Sequence, residues 1–307
     1  MIDKKLVEFI AKKLGIERQE LVEKDLTLQK ILQELVKNKA FKEDFAFKGG
    51  TCLIKCYLGY YRFSEDLDFT YIHQKHFKGK SEKQTRKILS QKIGSIIALL
   101  DSISDKIKLD FKPDKNNHKY IEFGGSNKFV TFKLWYTSLI LNQKTFIKIQ
   151  INFIEKLLHP LVSIKVNPII TNEVGKEIQF IFKENSLAKP FNARAYSLNE
   201  ILIEKIRAIL TRRGIKARDF IDVYLIQKEI KVNLKEVEKG AIDKITFMLK
   251  YEKYVQNIKN KPEELKKELI IGKEEGLLLK NLPHGYENFV KEFLVILLDI
   301  INRIHEK

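Results

Sequence analysis

Apolar residues at helical spacing open the chain. The stripe over residues 3–14 predicts a helix that begins at a possible N-cap, Asp3, and stops at Gly15. A second amphipathic stripe, over residues 28–36, predicts another helix. The chain therefore starts with helices that each bury one apolar face.

Strands and helices then alternate around a pair of glycines. The apolar segment Phe45 to Phe47 predicts a strand that ends at Gly49-Gly50, and residues 51–58 favour a short helix. Residues 65–71 predict a second strand. A long helix is expected after Ser81, whose hydroxyl suits an N-cap.

The pattern over residues 106–183 predicts a β-rich middle. Its clearest strand runs from Phe146 to Ile154, because apolar and polar residues alternate there. One face of this strand would carry Ile147, Ile149, Ile151 and Phe153. The other face would carry Lys148, Gln150 and Asn152.

From Ser197 the pattern becomes helical and stays so. Ser197 and Glu200 have the spacing of a capping box, and a further helix is expected over residues 217–228. The order predicts an α+β fold in which a mixed sheet flanked by helices precedes an all-α bundle. We therefore expect a first domain over residues 1–195 and a helical domain over residues 196–307.

Composition narrows the partners. The 307 residues carry a formal net charge of +17, which favours polyanions such as nucleic acid. Lysines spread through the tail favour RNA in the same way, although a lysine on a helix face is most often only solvated: Lys235, Lys239, Lys244, Lys250, Lys266 and Lys267. No signal peptide is recognisable, and the longest apolar run, over residues 293–301, is too short to span a bilayer. We expect a cytoplasmic protein without membrane contact.

Asp66 and Asp68 are the first candidates for chemistry. Residues two apart on a strand share a face, so both carboxylates would project together while Leu67 enters the core. Two adjacent acids repel unless a cation neutralises them, and Mg²⁺ or Mn²⁺ suits such oxygen ligands and takes others from phosphates. The simpler alternative is an exposed strand edge with two solvated acids.

The glycine pair supports the metal hypothesis. Gly49 and Gly50 lie at a predicted strand-to-helix junction, where free backbone N–H groups can hold phosphate, and Thr51 adds a hydroxyl. Placed just before the strand of Asp66 and Asp68, this junction would set a nucleoside triphosphate beside the metal ligands. Anchored phosphates, a metal and an in-line nucleophile are the requirements of phosphoryl transfer.

A second cluster of charge lies in the helical part. Lys205 and Arg212 are seven residues apart and would share a helix face, with the small Ala208 between them. Asp219, on the next predicted helix, could orient Lys205 or bind the nucleotide. The alternative is an ordinary charged pair of helices that fixes the tail to the head.

These two motifs resemble a known family. The segment from Gly49-Gly50-Thr51 to Arg62-Phe63-Ser64-Glu65-Asp66-Leu67-Asp68-Phe69 is similar to the nucleotidyltransferase signature of the AbiEii/AbiGii toxin family. The later Glu204-Lys205-Ile206-Arg207-Ala208, Arg212 and Arg218-Asp219-Phe220-Ile221-Asp222 resemble its second hallmark. The likeness covers about residues 45–226, and it implies a DNA polymerase β-like head and an activity in toxin–antitoxin or phage-abortive infection systems.

The resemblance and the residues together give a hypothesis for the reaction. Asp66 and Asp68 would bind the metal, Gly49, Gly50 and Thr51 would grip the β- and γ-phosphates, and Lys205 would be catalytic by neutralising charge on the transferred group. Contacts to the nucleotide are also expected from Ser64, Lys148, Arg212 and Asp219. The product would be a nucleotidylated acceptor and pyrophosphate.

One position departs from the polymerase β-like pattern, which usually takes a third carboxylate from a neighbouring strand. The strand expected in that role offers Lys148, Gln150 and Asn152, none of them acidic. Either two acids suffice, or Glu155 reaches the site, or the site binds nucleotide without turnover. Lys148 could instead contact phosphate.

The acceptor stays open at this stage. The family likeness and the basic charge favour RNA, above all the tRNA acceptor end, and the tail could equally dock a protein antitoxin. Modification of a protein or a small molecule is the alternative enzyme function. A non-catalytic nucleotide or RNA binder is the alternative outside the enzymes, and a purely structural helical protein would leave Gly49-Gly50 and the two acids unexplained.

Overall fold

The helices begin and end where local hydrogen bonding dictates. Asp3 accepts the Leu6 N–H at 2.9 Å, and Gly15 ends the first helix in the left-handed region. Ser81 and Gln84 form a reciprocal capping box. Both predicted helix starts are confirmed.

The computed structural model describes residues 2–125, 127–184, 186–266, 278–281 and 284–306. In these ranges the helices are α1 Lys4–Leu14, α2 Gln19–Lys37, α3 Lys39–Asp44, α4 Gly49–Leu53, α5 Glu82–Ile107, α6 Asn172–Phe182, α7 Leu198–Thr211, α8 Ala217–Ile230, α9 Leu234–Met248, α10 Glu252–Lys266 and α11 Tyr286–His305. A π-helical turn, Ile54–Leu58, continues α4, and a 3-10 turn covers Gln74–Phe77. No helix in the described ranges is long and apolar enough to cross a membrane.

One mixed sheet organises the first part of the chain. Its strands are β1 Phe45–Lys48, β2 Asp66–Tyr71, β3 Ile121–Gly124, β4 Phe129–Thr137, β5 Lys144–Asn152, β6 Leu161–Val166 and β7 Phe191–Tyr196. Within the described residues the spatial order is β3-β4-β5-β2-β1-β7-β6. β2 runs antiparallel to β1 and parallel to β5.

The two faces of the sheet differ sharply in polarity. Leu67 and Phe69 of β2 lie beside Ile149 and Ile151 of β5, and all four are buried in the core. The opposite face carries polar side chains on the same strands, as the alternation in the sequence predicts. The fold is α+β, a mixed sheet with flanking helices followed by a helical part.

The predicted β-rich middle is wrong at its ends. α5 extends to Ile107, and residues 172–182 form α6 instead of a strand. Thr171 caps α6 by accepting the Val174 N–H. Gly175 inside this helix argues against a helix in the sequence, because glycine is a poor helix former. In the structure a Cβ at this position would lie 3.0 Å from Ala188 Cβ, so the glycine permits close packing.

The chain forms two compact units, one of residues 1–155 and 161–195 and one of residues 156–160 and 196–307. In the second unit Ser197 accepts the Glu200 N–H, which confirms the predicted helix start. The Glu200 carboxylate, however, is directed at the N–H groups of Leu158 and His159 and at Lys244 Nζ, 2.7 Å away.

This arrangement corrects the role expected for one tail lysine. Lys244 is fully buried beside Glu200, so its side chain is not part of a surface that could meet RNA. Its ammonium group instead neutralises a carboxylate inside the helical unit. Lys267 lies outside the described residues.

We expect Glu200→Gln to lower the free energy of unfolding by about 3–5 kcal/mol, because it removes the charge beside the buried ammonium of Lys244. Urea unfolding followed by circular dichroism measures the change. The control is Glu229→Gln, which removes an exposed carboxylate from α8 and should change little. Equal losses in the two variants would contradict the role assigned to this buried pair.

Candidate active site

The centre of the site is the junction between β1 and α4. In the antiparallel pair of β1 and β2, Lys48 lies directly opposite Asp68. Gly49 follows at once and starts α4, so the predicted strand-to-helix junction is confirmed. The backbone therefore turns beside the strand that carries the two acids.

Gly49 is in contact with the Asp68 carboxylate. Its φ is +78°, in the left-handed region that favours glycine. A Cβ at this position would collide with the Oδ2 atom of Asp68 and lie 2.9 Å from its Cγ. Both backbone conformation and space thus require glycine, and the contact places the junction against one of the predicted metal ligands.

Gly50 makes room for a second cluster. A Cβ there would lie 2.8 Å from a terminal guanidinium nitrogen of Arg62 and 3.0 Å from Ser64 Oγ. Arg62 is buried and donates to the Phe63 carbonyl at 2.8 Å. Its position against Gly50 follows from the fold and has no signal in the sequence beyond its place in the motif.

Thr51 and Ser64 tie α4 to the start of β2. Thr51 Oγ1 donates to the Asp66 carbonyl oxygen at 2.5 Å and lies 2.9 Å from Ser64 Oγ. Thr51 is buried, so these bonds hold the glycine junction to the strand of the acids. Phosphate contacts by Thr51 and Ser64 stay a prediction.

Asp66 and Asp68 share the polar face of β2. Both are partly exposed, whereas Leu67 between them is fully buried. The neighbouring strand is β5, as predicted, with Lys148 opposite Asp66 and Gln150 opposite Asp68. Lysine and glutamine therefore occupy the positions from which a third acid would come.

The residues present fit one small divalent cation. Two carboxylates on one strand face supply hard oxygen ligands, and Mg²⁺ completes its shell with water and phosphate oxygens. Among the described residues, histidine, cysteine and acidic side chains form no group of three or more that could hold a metal ion. The chemistry of the donor set thus suits a metal that arrives with its phosphate ligands.

Glu155 approaches the site through Lys48. Its Oε2 atom accepts from Asn152 Nδ2 at 2.9 Å and lies 3.8 Å from Lys48 Nζ. Both Glu155 and Lys48 are buried. Sequence reasoning missed Lys48, because its place opposite Asp68 depends on the register in which β1 and β2 pair, and residue spacing does not give that register. The only local indication of a role for Lys48 is strand alternation, which places its side chain on the opposite face of β1 from Phe47.

The second cluster forms a tight network in the helical unit. Lys205 Nζ lies 2.8 Å from Asp219 Oδ1 and 2.5 Å from Asp222 Oδ2. Arg212 reaches the other oxygen of Asp219 at 2.5 Å. Asp219 and Asp222 are buried, and the Lys205 side chain is 13% exposed. Of the two roles considered for Asp219, this geometry supports orienting Lys205.

The charges around Asp219 decide its protonation. Burial opposes the ionised carboxylate, but Lys205 and Arg212 outweigh that penalty and hold the pKa of Asp219 below its ordinary value. Asp222 acts in the opposite direction. The carboxylate is therefore ionised at neutral pH and keeps Lys205 in one orientation.

The sequence matches the family described as nucleotidyl transferase AbiEii toxin, type IV toxin–antitoxin system, over residues 30–303. The match spans nearly the whole chain. The chain belongs to the AbiEii nucleotidyltransferase toxin family. Membership supports a transferase activity, and both motifs discussed above lie within the matched residues of this AbiEii protein.

Two solved structures from Helicobacter pylori are similar to the chain. The JHP933 protein is 18% identical with a TM-score of 0.45, and the match covers 92% of this chain and 94% of JHP933. A second H. pylori protein is 17% identical with a TM-score of 0.43, over 92% of this chain and 97% of its own. At these values neither bears on the function. No curated protein matches the sequence.

Gly49→Ala should lower the free energy of unfolding more than Gly15→Ala does. Both glycines have positive φ, so each alanine is strained by roughly 1–2 kcal/mol. Of these two positions, only at residue 49 would the added Cβ have a neighbour within 4 Å, the Asp68 side chain. Relieving that overlap should cost roughly 1–3 kcal/mol more. Urea unfolding of the two variants measures the difference, and equal losses would show that Asp68 does not rest against Gly49.

Asp219→Asn should destabilise the protein by about 3–5 kcal/mol at neutral pH, because it leaves Lys205 and Arg212 with one carboxylate fewer. Since the folded-state pKa of Asp219 is lowered, its contribution is complete above the ordinary aspartate pKa. That contribution is lost as the pH falls through the lower, folded-state pKa. The difference in unfolding free energy between wild type and variant should therefore shrink in acid, and a constant difference would contradict this account.

Proposed function

We propose that the protein transfers a nucleoside monophosphate from a nucleoside triphosphate to an acceptor hydroxyl, with Mg²⁺ or Mn²⁺ as the metal. One observation carries the proposal: the Asp68 carboxylate rests against Gly49, at the turn where backbone can approach phosphate. A metal ligand and a phosphate-binding turn in contact are what a metal–triphosphate complex requires. Membership in a nucleotidyltransferase family supports the same chemistry.

Each residue of the polar sheet face has a part in this proposal. Asp66 and Asp68 hold the metal, which when bound polarises phosphate oxygens and stabilises charge that develops on them. Gly49 and Gly50 let the backbone approach the β- and γ-phosphates, with Thr51 and Ser64 as further contacts. Lys148, opposite Asp66, adds positive charge for a phosphate oxygen.

The bonds exchanged define the reaction. The acceptor oxygen forms a bond to the α-phosphorus and loses its proton, while the bond from that phosphorus to the bridging oxygen breaks and pyrophosphate leaves. We propose that Lys205 offsets charge on the transferred group, that Arg212 contacts the nucleotide and that Asp219 orients Lys205. The two short contacts of Lys205 with Asp219 and Asp222 support a fixed orientation of its ammonium group.

We propose RNA as the acceptor, with the tRNA acceptor end as the specific site. The net charge of +17 supports a polyanionic acceptor over a protein or a small molecule. The toxin family supports an antitoxin as the partner that counters the activity. Transfer to a protein or a small molecule would be insensitive to digestion of the RNA.

The lack of a third acid on β5 favours one alternative function, nucleotide binding without transfer. Lys148 and Gln150 stand opposite the acid pair, so the described residues of this strand add no negative charge there. A site of this kind would bind triphosphate and release no pyrophosphate. Measuring pyrophosphate release together with triphosphate binding separates the two functions.

Asp66→Asn and Asp68→Asn should each reduce nucleotide transfer by roughly 10³-fold, since each removes a ligand from a metal that supplies several kcal/mol of transition-state stabilisation. The assay incubates the protein with each labelled triphosphate, Mg²⁺ or Mn²⁺ and total RNA, and identifies what carries label. Asp105→Asn, an exposed aspartate of α5, is the matched control. Unchanged transfer in the site variants would remove the proposed function, provided that their unfolding midpoints match wild type.

A further inference from the structure

An aromatic pair lies on the polar sheet face, next to the acid pair. Trp135 of β4 and Phe146 of β5 are direct cross-strand partners with ring centroids 4.5 Å apart. Both rings are partly exposed, and the neighbouring Leu134 and Ile147 point into the core on the opposite face. Alternation therefore puts the two rings on the face that faces away from the core.

The register relates these rings to the proposed transfer site. Phe146 lies two residues before Lys148, and Lys148 lies opposite Asp66. Two residues along a strand correspond to roughly 7 Å. The aromatic pair is thus one pleat away from the row that contains Asp66, on the same face of the same sheet.

Three lysines surround the rings. Lys133 and Lys148 place their ammonium groups 5.6 and 5.8 Å from the Phe146 centroid. Lys119 Nζ lies 5.4 Å from the centroid of Trp135, and the Trp135 indole N–H donates to the Lys119 carbonyl at 2.9 Å. We call these five residues, Lys119, Lys133, Trp135, Phe146 and Lys148, the aromatic–lysine platform.

Acidic partners hold two of these lysines in place. Glu122 contacts Lys133, and Asp110 lies 3.2 Å from Lys119. Lys144 adds a further positive charge near Asp110. The three platform lysines and Lys144 outnumber these two acids. Asp66 and Asp68 on the same face are the carboxylates that the metal of the proposed function would neutralise, so with that metal bound the local charge favours an anion.

We propose that the aromatic–lysine platform binds a single-stranded nucleic-acid end, with a base stacked on Trp135 and backbone phosphates on the lysines. A cross-strand aromatic pair by itself stabilises a hairpin. Partly exposed rings flanked by lysines, however, are the combination that binds single strands, because bases stack on rings while cations meet phosphates. The inference deepens the proposed function and rests on it, since the platform would deliver the acceptor end to the acid pair.

The protein reports on this site by itself, because Trp135 is its one tryptophan. The intact chain, without triphosphate, is titrated with short single-stranded oligoadenylates of RNA and of DNA, and tryptophan emission is recorded. We expect saturable quenching that weakens as salt is added. Binding of either the RNA or the DNA oligoadenylate supports the proposal, and the one bound with higher affinity shows whether the site prefers ribose or deoxyribose. Polyglutamate is the anionic protein-like control and should leave the emission unchanged.

Variants test the same surface with a labelled oligoadenylate. Trp135→Leu should weaken binding at least about fivefold, whereas Trp135→Phe, which retains a ring, should keep most of it. Lys133→Gln should weaken binding, and the slope of log affinity against log salt concentration should become smaller by about one. Phe180→Leu and Lys87→Gln, which change an exposed ring of α6 and an exposed lysine of α5, are the matched controls.

Several outcomes would overturn the inference. One is oligoadenylate binding with unchanged tryptophan emission, and another is equal quenching by polyglutamate, which would indicate a surface for acidic protein. Wild-type affinity in Trp135→Leu is a third. Absence of oligoadenylate binding, with transfer to another acceptor that still depends on Asp66, would overturn only the platform. Intact binding with no transfer in any assay would instead overturn the proposed function.

Discussion

The close approach of the Asp68 carboxylate to the backbone at Gly49 governs the arrangement of the whole site. A side chain at residue 49 would occupy the space of the carboxylate, so the turn and the acid can be adjacent only with glycine there. The pairing of β1 with β2 also holds Asp68 beside the turn, since Asp68 lies opposite Lys48, the residue before Gly49. The hydrogen bond from Thr51 to the Asp66 carbonyl then holds the helix that follows.

Local pattern was enough to predict much of this geometry. The acid pair, the glycine junction and the polar face of β5 each follow from residue spacing, because strand alternation and backbone permissiveness are local properties. The neighbouring strand was also predicted correctly, since β5 has the clearest alternation in the chain. Helix α6 was missed because Gly175 in its interior is explained only by the packing of Ala188 against it.

Other features depend on contacts between distant segments, which no spacing reveals. Lys48 and Glu155 are more than a hundred residues apart in the chain and meet near the acid pair. The burial of Lys244 beside Glu200 likewise requires α7 and α9 to pack together. A lysine in a basic tail gives no sign in the sequence that its charge is used inside the protein.

The chain path around residues 156–160 has a consequence for dissection of the protein. This short segment follows β5 and precedes β6, yet it belongs to the compact unit formed by residues 196–307. The Glu200 carboxylate accepts hydrogen bonds from the backbone N–H groups of Leu158 and His159. A fragment cut after residue 195 would therefore keep residues 156–160 but lose the Glu200 carboxylate that accepts the N–H groups of Leu158 and His159. A cut at this single peptide bond would leave those backbone donors without their hydrogen-bond acceptor.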